Sequence, residues 1–488
     1  MIIILVYGKK ALLYIIPCAI ILFSGCASAG KGIDTGISGV EKIKDESGND
    51  QVKYDNLTAE EWLGTLDGGN YNGYQFTIAT SRQYRFAPEE QMSGMVNPAI
   101  KKRNELVNAK YNVSLKEVYY DESELQTALS NAALAGTQFS DLVSVTMPTM
   151  ANLAASGFLT NLFSVPFFNA EASYLNTDTV NKSTVNDYMY AVYDRATFYQ
   201  EDFWCVFYNE ALLPDGAGNE ITNAVKAGSW TWDKLINYAE QAAAEVMEKR
   251  SPDYQTDIFG LGSFSDKNGF SIAAFISSGL SLFEDTYHKS LSYSMDSDAG
   301  NEAADKIRGM IGSKCYLGLS GENASKAFLE GRTAFFVYRV DFAKAVAETQ
   351  LSWNIAPLPK MTEGQNGYLS YVGSTSAGLS VPAYQADSAR TGKVLNAILA
   401  ASYINLDDAI KTNYITFCLR DNDAAIMLSE IFKNPVINIG TIYAEGYDRL
   451  SFLTDETILK AITQDLSFAY MYVSNASALA ALNADEFR

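Results

Sequence analysis

From residue 74 onward the chain alternates short apolar runs with longer amphipathic ones. Tyr74-Gln75-Phe76-Thr77-Ile78-Ala79 repeats with period two and predicts a first strand. Residues 97–110 are polar with spaced apolar positions and predict a surface helix. Val113 to Val118 predicts a second strand. Leu125, Ala128, Leu129, Ala132 and Ala133 share one face at helical spacing, so residues 123–135 read as an amphipathic helix. Residues 141–145 form a short apolar strand, and a helix is expected over 149–156. Alternating strands and helices predict an α/β fold whose parallel sheet is covered on both faces. Ligands then sit at the carboxyl ends of the strands. Farther on, Thr231 can cap a helix whose apolar stripe runs Trp232, Leu235, Ile236, Ala239, Ala243 and Val246. Trp230 and Trp232 are therefore read as helix packing.

Length, charge and residue counts narrow this picture. The 488 residues exceed one hydrophobic core, which stops growing near roughly 250–300 residues, so at least two lobes are expected. A formal charge of −20 argues against nucleic acid and against electrostatic docking on anionic lipid. His288 is the single histidine and lies in a polar stretch that reads as an exposed turn. Histidine-based nucleophilic catalysis would have to use it, and a His-rich zinc site cannot be built. Carboxylate-pair chemistry stays open, because Asp and Glu number 57. The cysteines form no CxxC pair; Cys205 lies in an apolar run and reads as a buried small hydrophobe. A disulfide among Cys205, Cys315 and Cys418 cannot be inferred. Asp296-Ser297-Asp298-Ala299-Gly300 starts like an EF-hand loop, but its Gly is one position early and residue 307 is Ile instead of Glu. Asp298 is expected to cap the following helix through Arg308. No metal or cofactor is implied.

At the N-terminus, Lys9-Lys10 precede an apolar run from Ala11 to Phe23, of signal-peptide length and short of the about 20 residues a membrane span needs. Leu22-Phe23-Ser24-Gly25-Cys26 resembles the lipobox of bacterial lipoproteins, with Phe23 where Leu is usual. That resemblance implies a signal peptide over 1–25 and a diacylglyceryl thioether on Cys26. Residues 26–73 are rich in Gly, Asp, Asn and Ser and are expected to form a flexible tether, with a helical turn or two available at 59–66.

Several segments resemble, in order, the family 1 extracellular solute-binding proteins. They are Ser140-Asp141-Leu142-Val143 with Ser156-Gly157-Phe158-Leu159; Phe207-Tyr208-Asn209-Glu210-Ala211-Leu212; Thr231-Trp232-Asp233-Lys234-Leu235; Ile258-Phe259-Gly260-Leu261; Phe328-Leu329-Glu330-Gly331-Arg332-Thr333-Ala334; Ile355-Ala356-Pro357-Leu358-Pro359-Lys360; and Gly373 to Pro382. The resemblance implies a two-lobe periplasmic-binding-protein type II fold, with two parallel or mixed sheets flanked by helices around an interlobe cleft. It implies chain crossings near 199–207 and 371–381. The first lobe would combine 74–200 with about 378–430, and the second 201–375 with about 431–488.

It further implies a non-enzymatic, extracytoplasmic, lipid-anchored monomer. Such a protein captures a solute, by resemblance a sugar, by hinge closure and hands it to the permease subunits of an ABC importer. The expected ligand residues are Arg82 and Tyr84 after the first strand, Thr146 after the third, and Trp204 at the first crossing. Asn268 and Phe270 follow the 258–264 strand; Tyr338, Arg339 and Asp341 follow 333–337; Ser374 and Thr375 lie at the return crossing. A local ion pair is the alternative reading of Arg339 and Asp341. Residues 146–149 lack the acidic and Arg residues of the maltose-binding pattern. A peptide or other non-sugar solute stays open, as do a surface-anchored glycoside hydrolase with two carboxylates 5–10 Å apart, on the order of that chemistry's usual spacing, and an adhesive surface lipoprotein.

Overall fold

A computed structural model describes residues 57–438 except 89–93, 185–186, 265–266, 282, 287–289, 294–296, 404 and 420–421, together with 41–44, 50–53 and 442. The leader, Cys26 and His288 lie outside the described residues. Nine strands build two sheets: β1 (Tyr74–Thr80), β2 (Val113–Tyr119), β3 (Leu142–Thr146), β4 (Leu159–Thr160), β5 (Trp204–Asn209), β6 (Phe259–Ser263), β7 (Thr333–Arg339), β8 (Trp353–Pro357) and β9 (Ala377–Pro382). The first sheet has the order β2-β1-β3-β9-β4 and the second β8-β5-β7-β6.

The first sheet grows from the alternation seen in sequence. β1 lies parallel to β2 and β3, linked through the helices Val96–Tyr111 and Glu122–Leu134. β9 returns from the far end of the chain and pairs antiparallel with β3 and β4. In the second sheet β5 is central, antiparallel to both β7 and β8, while β6 runs parallel to β7. All six β5 residues are buried, as a strand covered on both faces requires. Cys205 is one of them, and Cys205, Cys315 and Cys418 are free and buried, so they form no disulfide. These two sheets with their helices are the two lobes of the periplasmic-binding-protein type II fold.

Local signals set several joints. Thr231 caps Trp232–Ala242 by accepting from the Lys234 N–H at 3.4 Å. Trp230 and Trp232 are fully buried, and their indole N–H groups donate to the Pro357 carbonyl and to Ser277. Gly331, at φ +77°, ends the helix Gly321–Leu329 and turns the chain into β7; a side chain there would be strained.

Four expectations are corrected. Residues 57–73 belong to the folded body and not to a tether: Ala59–Thr65 is a helix closed by a Thr58/Glu61 capping box, and Trp62 and Leu63 are buried. The first crossing ends before Trp204, because Trp204 already pairs with Arg339 in the second sheet. The first lobe's C-terminal share stops short of 430, since the helix Asn422–Lys433 packs on β8 while Asn405–Asn413 packs on Val96–Tyr111. The helix Asp298–Gly312 is capped by Ser297, which accepts from the Gly300 N–H, and Arg308 pairs with Asp305.

Candidate functional site

Two chain segments cross side by side between the sheets. The outgoing segment leaves the first sheet at Val192, bridged to Leu379, and passes through tight turns at 195–202. The returning segment bridges Val372 to Phe203, and the Gly373 N–H donates to the Asp202 carbonyl at 3.0 Å. The carboxyl ends of β1, β3 and β7 meet this crossing, which is where an α/β sheet presents its ligands.

A polar network occupies the meeting point. Arg339, at the end of β7, donates to Asp202 at 2.7 Å and to the Thr375 hydroxyl at 2.8 Å. That hydroxyl lies 2.9 Å from the same Asp202 oxygen. Arg82, just past β1, donates to the Thr375 carbonyl at 2.6 Å and stands 3.8 Å from Asp202. Asp341 pairs with Arg339 at 3.1 Å. Burial pushes the Asp341 carboxyl up to about 6; the Arg339 charge opposes this, and the Asp202 and Glu201 charges add to it. The Ser374 carbonyl accepts the Met147 N–H at 3.2 Å, tying the crossing to the end of β3.

Beside this network stands an aromatic wall. Tyr338 stacks on Phe264 with ring centres 4.4 Å apart and meets Trp204 edge-on at 5.7 Å. Tyr371 lies 5.7 Å from Trp204; both are buried and back the partly exposed rings of Phe264 and Tyr338. Guanidinium and carboxylate groups next to aromatic faces can grip hydroxyls and cover the apolar side of a ring-shaped solute.

The expected site residues divide cleanly. Arg82, Trp204, Tyr338, Arg339, Asp341, Ser374 and Thr375 converge at the crossing, and Arg339 and Asp341 form part of a wider network as well as an ion pair. Thr146 stands at its margin and donates its hydroxyl to Glu122 at 2.8 Å. Tyr84 is held apart in a left-handed conformation (φ 61°), in a loop whose four successive N–H groups, 84–87, all donate to Glu117. Phe270 is removed from the cleft: it is fully buried in the second lobe between Trp232 and Tyr316. Asn268 sits in the helix Lys267–Ser277, and its side chain lies outside the described residues.

Sequence reasoning passed over Glu201, Asp202, Phe264 and Lys344. The signal for the first two was an acidic pair directly before the apolar run at 203–207, where a carboxylate has no business unless paired. Glu201 takes Arg85 at 2.7 Å, Lys344 at 2.5 Å and the Tyr414 hydroxyl at 3.1 Å. Burial alone would raise its carboxyl; the two cations and the hydroxyl outweigh that and hold it at about 2. A separate hollow of about 460 Å³ lies between the helices Ala217–Lys226 and Trp232–Ala242. Its charged groups are spent on neighbours, Glu220 on Tyr238, Asp233 on Lys306 and Lys234 on Glu363.

Several solved structures are similar to this chain. A cyclo/maltodextrin-binding protein complexed with maltotetraose is 13% identical; the match covers 88% of this chain and 98% of that one, with a TM-score of 0.50. The GacH receptor of Streptomyces glaucescens, solved unliganded and with acarbose, is 16% identical over 86% and 98% of the two chains at a TM-score of 0.47. A maltose/maltodextrin-binding domain of Bdellovibrio bacteriovorus bound to maltotriose is 13% identical over 84% and 99%, also at 0.47. No curated protein sequence matches the chain. Residues 104–417 match the family described as bacterial extracellular solute-binding protein. That span runs from the first lobe through β5 to β9 and the helices beyond, and the chain belongs to the bacterial extracellular solute-binding proteins.

Proposed function

We propose that this protein captures a sugar or oligosaccharide between its lobes by hinge closure and delivers it to an ABC importer. In this reading Cys26 carries the lipid that holds the protein on the outer face of the cytoplasmic membrane, and a monomer suffices. The observation that supports the sugar assignment is the partly exposed pair Phe264 and Tyr338, backed by buried Trp204 and Tyr371, set against the Arg82, Asp202, Arg339 and Thr375 network. Rings stack on the C–H face of a pyranose, and the polar groups meet its hydroxyls. The family's extracellular setting supports the anchor, and among the described residues no helix is long and apolar enough to cross a membrane. The maltodextrins and acarbose bound by the similar structures make glucose oligomers the first solutes to try.

Thermal unfolding of the chain from residue 27 onward, with and without maltotetraose, acarbose and a panel of other oligosaccharides, tests this. A solute at 100 times its Kd stabilises by about 2.7 kcal/mol and raises the melting temperature accordingly. Tyr338→Ala is expected to weaken that solute by roughly tenfold, the order of one aromatic contact. Silence across the panel, or hydrolysis of an oligosaccharide by the purified protein, overturns the proposal.

A further inference from the structure

Glu201 and Asp202 are neighbours on the outgoing crossing, and each is gripped by one cation from each lobe. Glu201 holds Arg85, from the loop after β1 in the first lobe, at 2.7 Å and Lys344, from the helix Ala343–Ala347 in the second, at 2.5 Å. Asp202 repeats the pattern, with Arg82 from the first lobe at 3.8 Å and Arg339 from the second at 2.7 Å. Two adjacent carboxylates thus each tie the lobes together, on a segment that belongs to neither sheet. The cradle around them is built. Arg85 stacks over Phe198 at 4.4 Å, and buried Arg103 and its neighbour Asn104 hold the Arg85 loop through the Arg85 and Phe86 carbonyls. Both carboxylate side chains are about nine-tenths buried in the joined state, so salt acts chiefly on the parted lobes, whose freed charges meet solvent and counterions.

We infer that Glu201 and Asp202 are positioning residues for capture: a double electrostatic latch that holds the lobes in register before solute arrives. Removing Glu201 leaves Arg85 and Lys344 as like charges across the lobes, and removing Asp202 takes the shared carboxylate from Arg82 and Arg339 while Arg339 keeps Asp341; both changes favour separation. The latch sets how much of the solute's binding energy goes into closing the cleft. It follows that affinity for an uncharged solute depends on ionic strength, although the solute itself contributes no charge. This inference rests on the hinge-closure reading but not on the identity of the solute.

Hydrogen exchange on the full chain in detergent, without any solute, tests it. The informative amides are Met147, Val340 and Gly373, which donate to the Ser374, Phe203 and Asp202 carbonyls at the lobe junction. Raising salt to about 1 M, where the screening length is roughly 3 Å, is expected to speed exchange there and to leave the amides of β1 and β5 unchanged. Glu201→Gln and Asp202→Asn are each expected to exchange at the junction roughly tenfold faster at low salt and to show a smaller salt response, which the double variant loses. Lys344→Met, which leaves Arg85 on Glu201, is expected to fall between. Equal junction exchange in wild type and variants, or acceleration spread evenly through both sheets, overturns the latch. Failure to find a sugar ligand while the junction still responds to salt overturns the sugar assignment and leaves the latch standing.

Discussion

At Asp341 burial pushes the carboxyl in the folded protein up to about 6 from its ordinary value of 3.8. The folded state therefore holds this proton more tightly. Its stabilising contribution is complete below about pH 4 and is lost as pH rises through 6. Asp341→Asn removes that dependence, so the variant is expected to melt higher than wild type at pH 7 and to match it near pH 4 in a calorimetric pH series. Glu201 has the opposite sign: its folded value, about 2, lies below the ordinary 4.5. Its contribution is present above pH 4.5 and fades as pH falls toward 2, so Glu201→Gln is expected to flatten the acid limb of the same series. Both carboxylates were visible in the sequence only as charges beside apolar runs. For Glu201 the partners Arg85 and Lys344 lie 116 and 143 positions away, and no local pattern joins them; for Asp341 the neighbouring Arg339 was legible as a local ion pair, but the burial that raises its carboxyl was not.

At the scale of elements, periodicity was a good guide and averaged composition a poor one. The strands at 74–80, 113–119 and 142–146 and the helices between them lie within a few residues of where alternation and helical spacing placed them. The stretch 57–73 was misjudged because its many Gly, Asp and Asn residues mask one strong local device. Thr58 and Glu61 satisfy the first turn reciprocally, and Trp62 meets Tyr174 and Tyr403 edge-on at 5.3 and 6.4 Å. Trp62→Ala is expected to destabilise by about 3–5 kcal/mol in denaturant unfolding, and a protein starting at residue 74 to be weakened at least as much. Phe270 was misjudged for a different reason. Following a strand end suggests a cleft position, yet helical periodicity turns Phe270 inward with Ala273 and Ala274. Phe270→Ala is expected to cost about 3–5 kcal/mol of stability, with oligosaccharide affinity unchanged in titration calorimetry.

For the whole molecule, the two sheets and the crossing between them turn separate weak features into a site. Arg82, Asp202, Arg339 and Thr375 come from four distant segments and meet because β1, β7 and both crossings end at one place. Alternating hydrophobicity and the ordered run of family-like segments were enough to establish an α/β protein of two lobes, since burial periodicity is a local property written residue by residue. Of the expected residues, seven meet at the crossing: Arg82 and Asp341 follow strands, Tyr338 and Arg339 end one, and Trp204, Ser374 and Thr375 were placed by the crossings that the family-like segments imply. Which side chains pair, which carboxylate keeps its proton and which aromatic faces the cleft were decided by tertiary structure alone. Pairing energies and desolvation depend on distances between groups remote in the chain, and those distances exist only once both lobes have folded against the crossing.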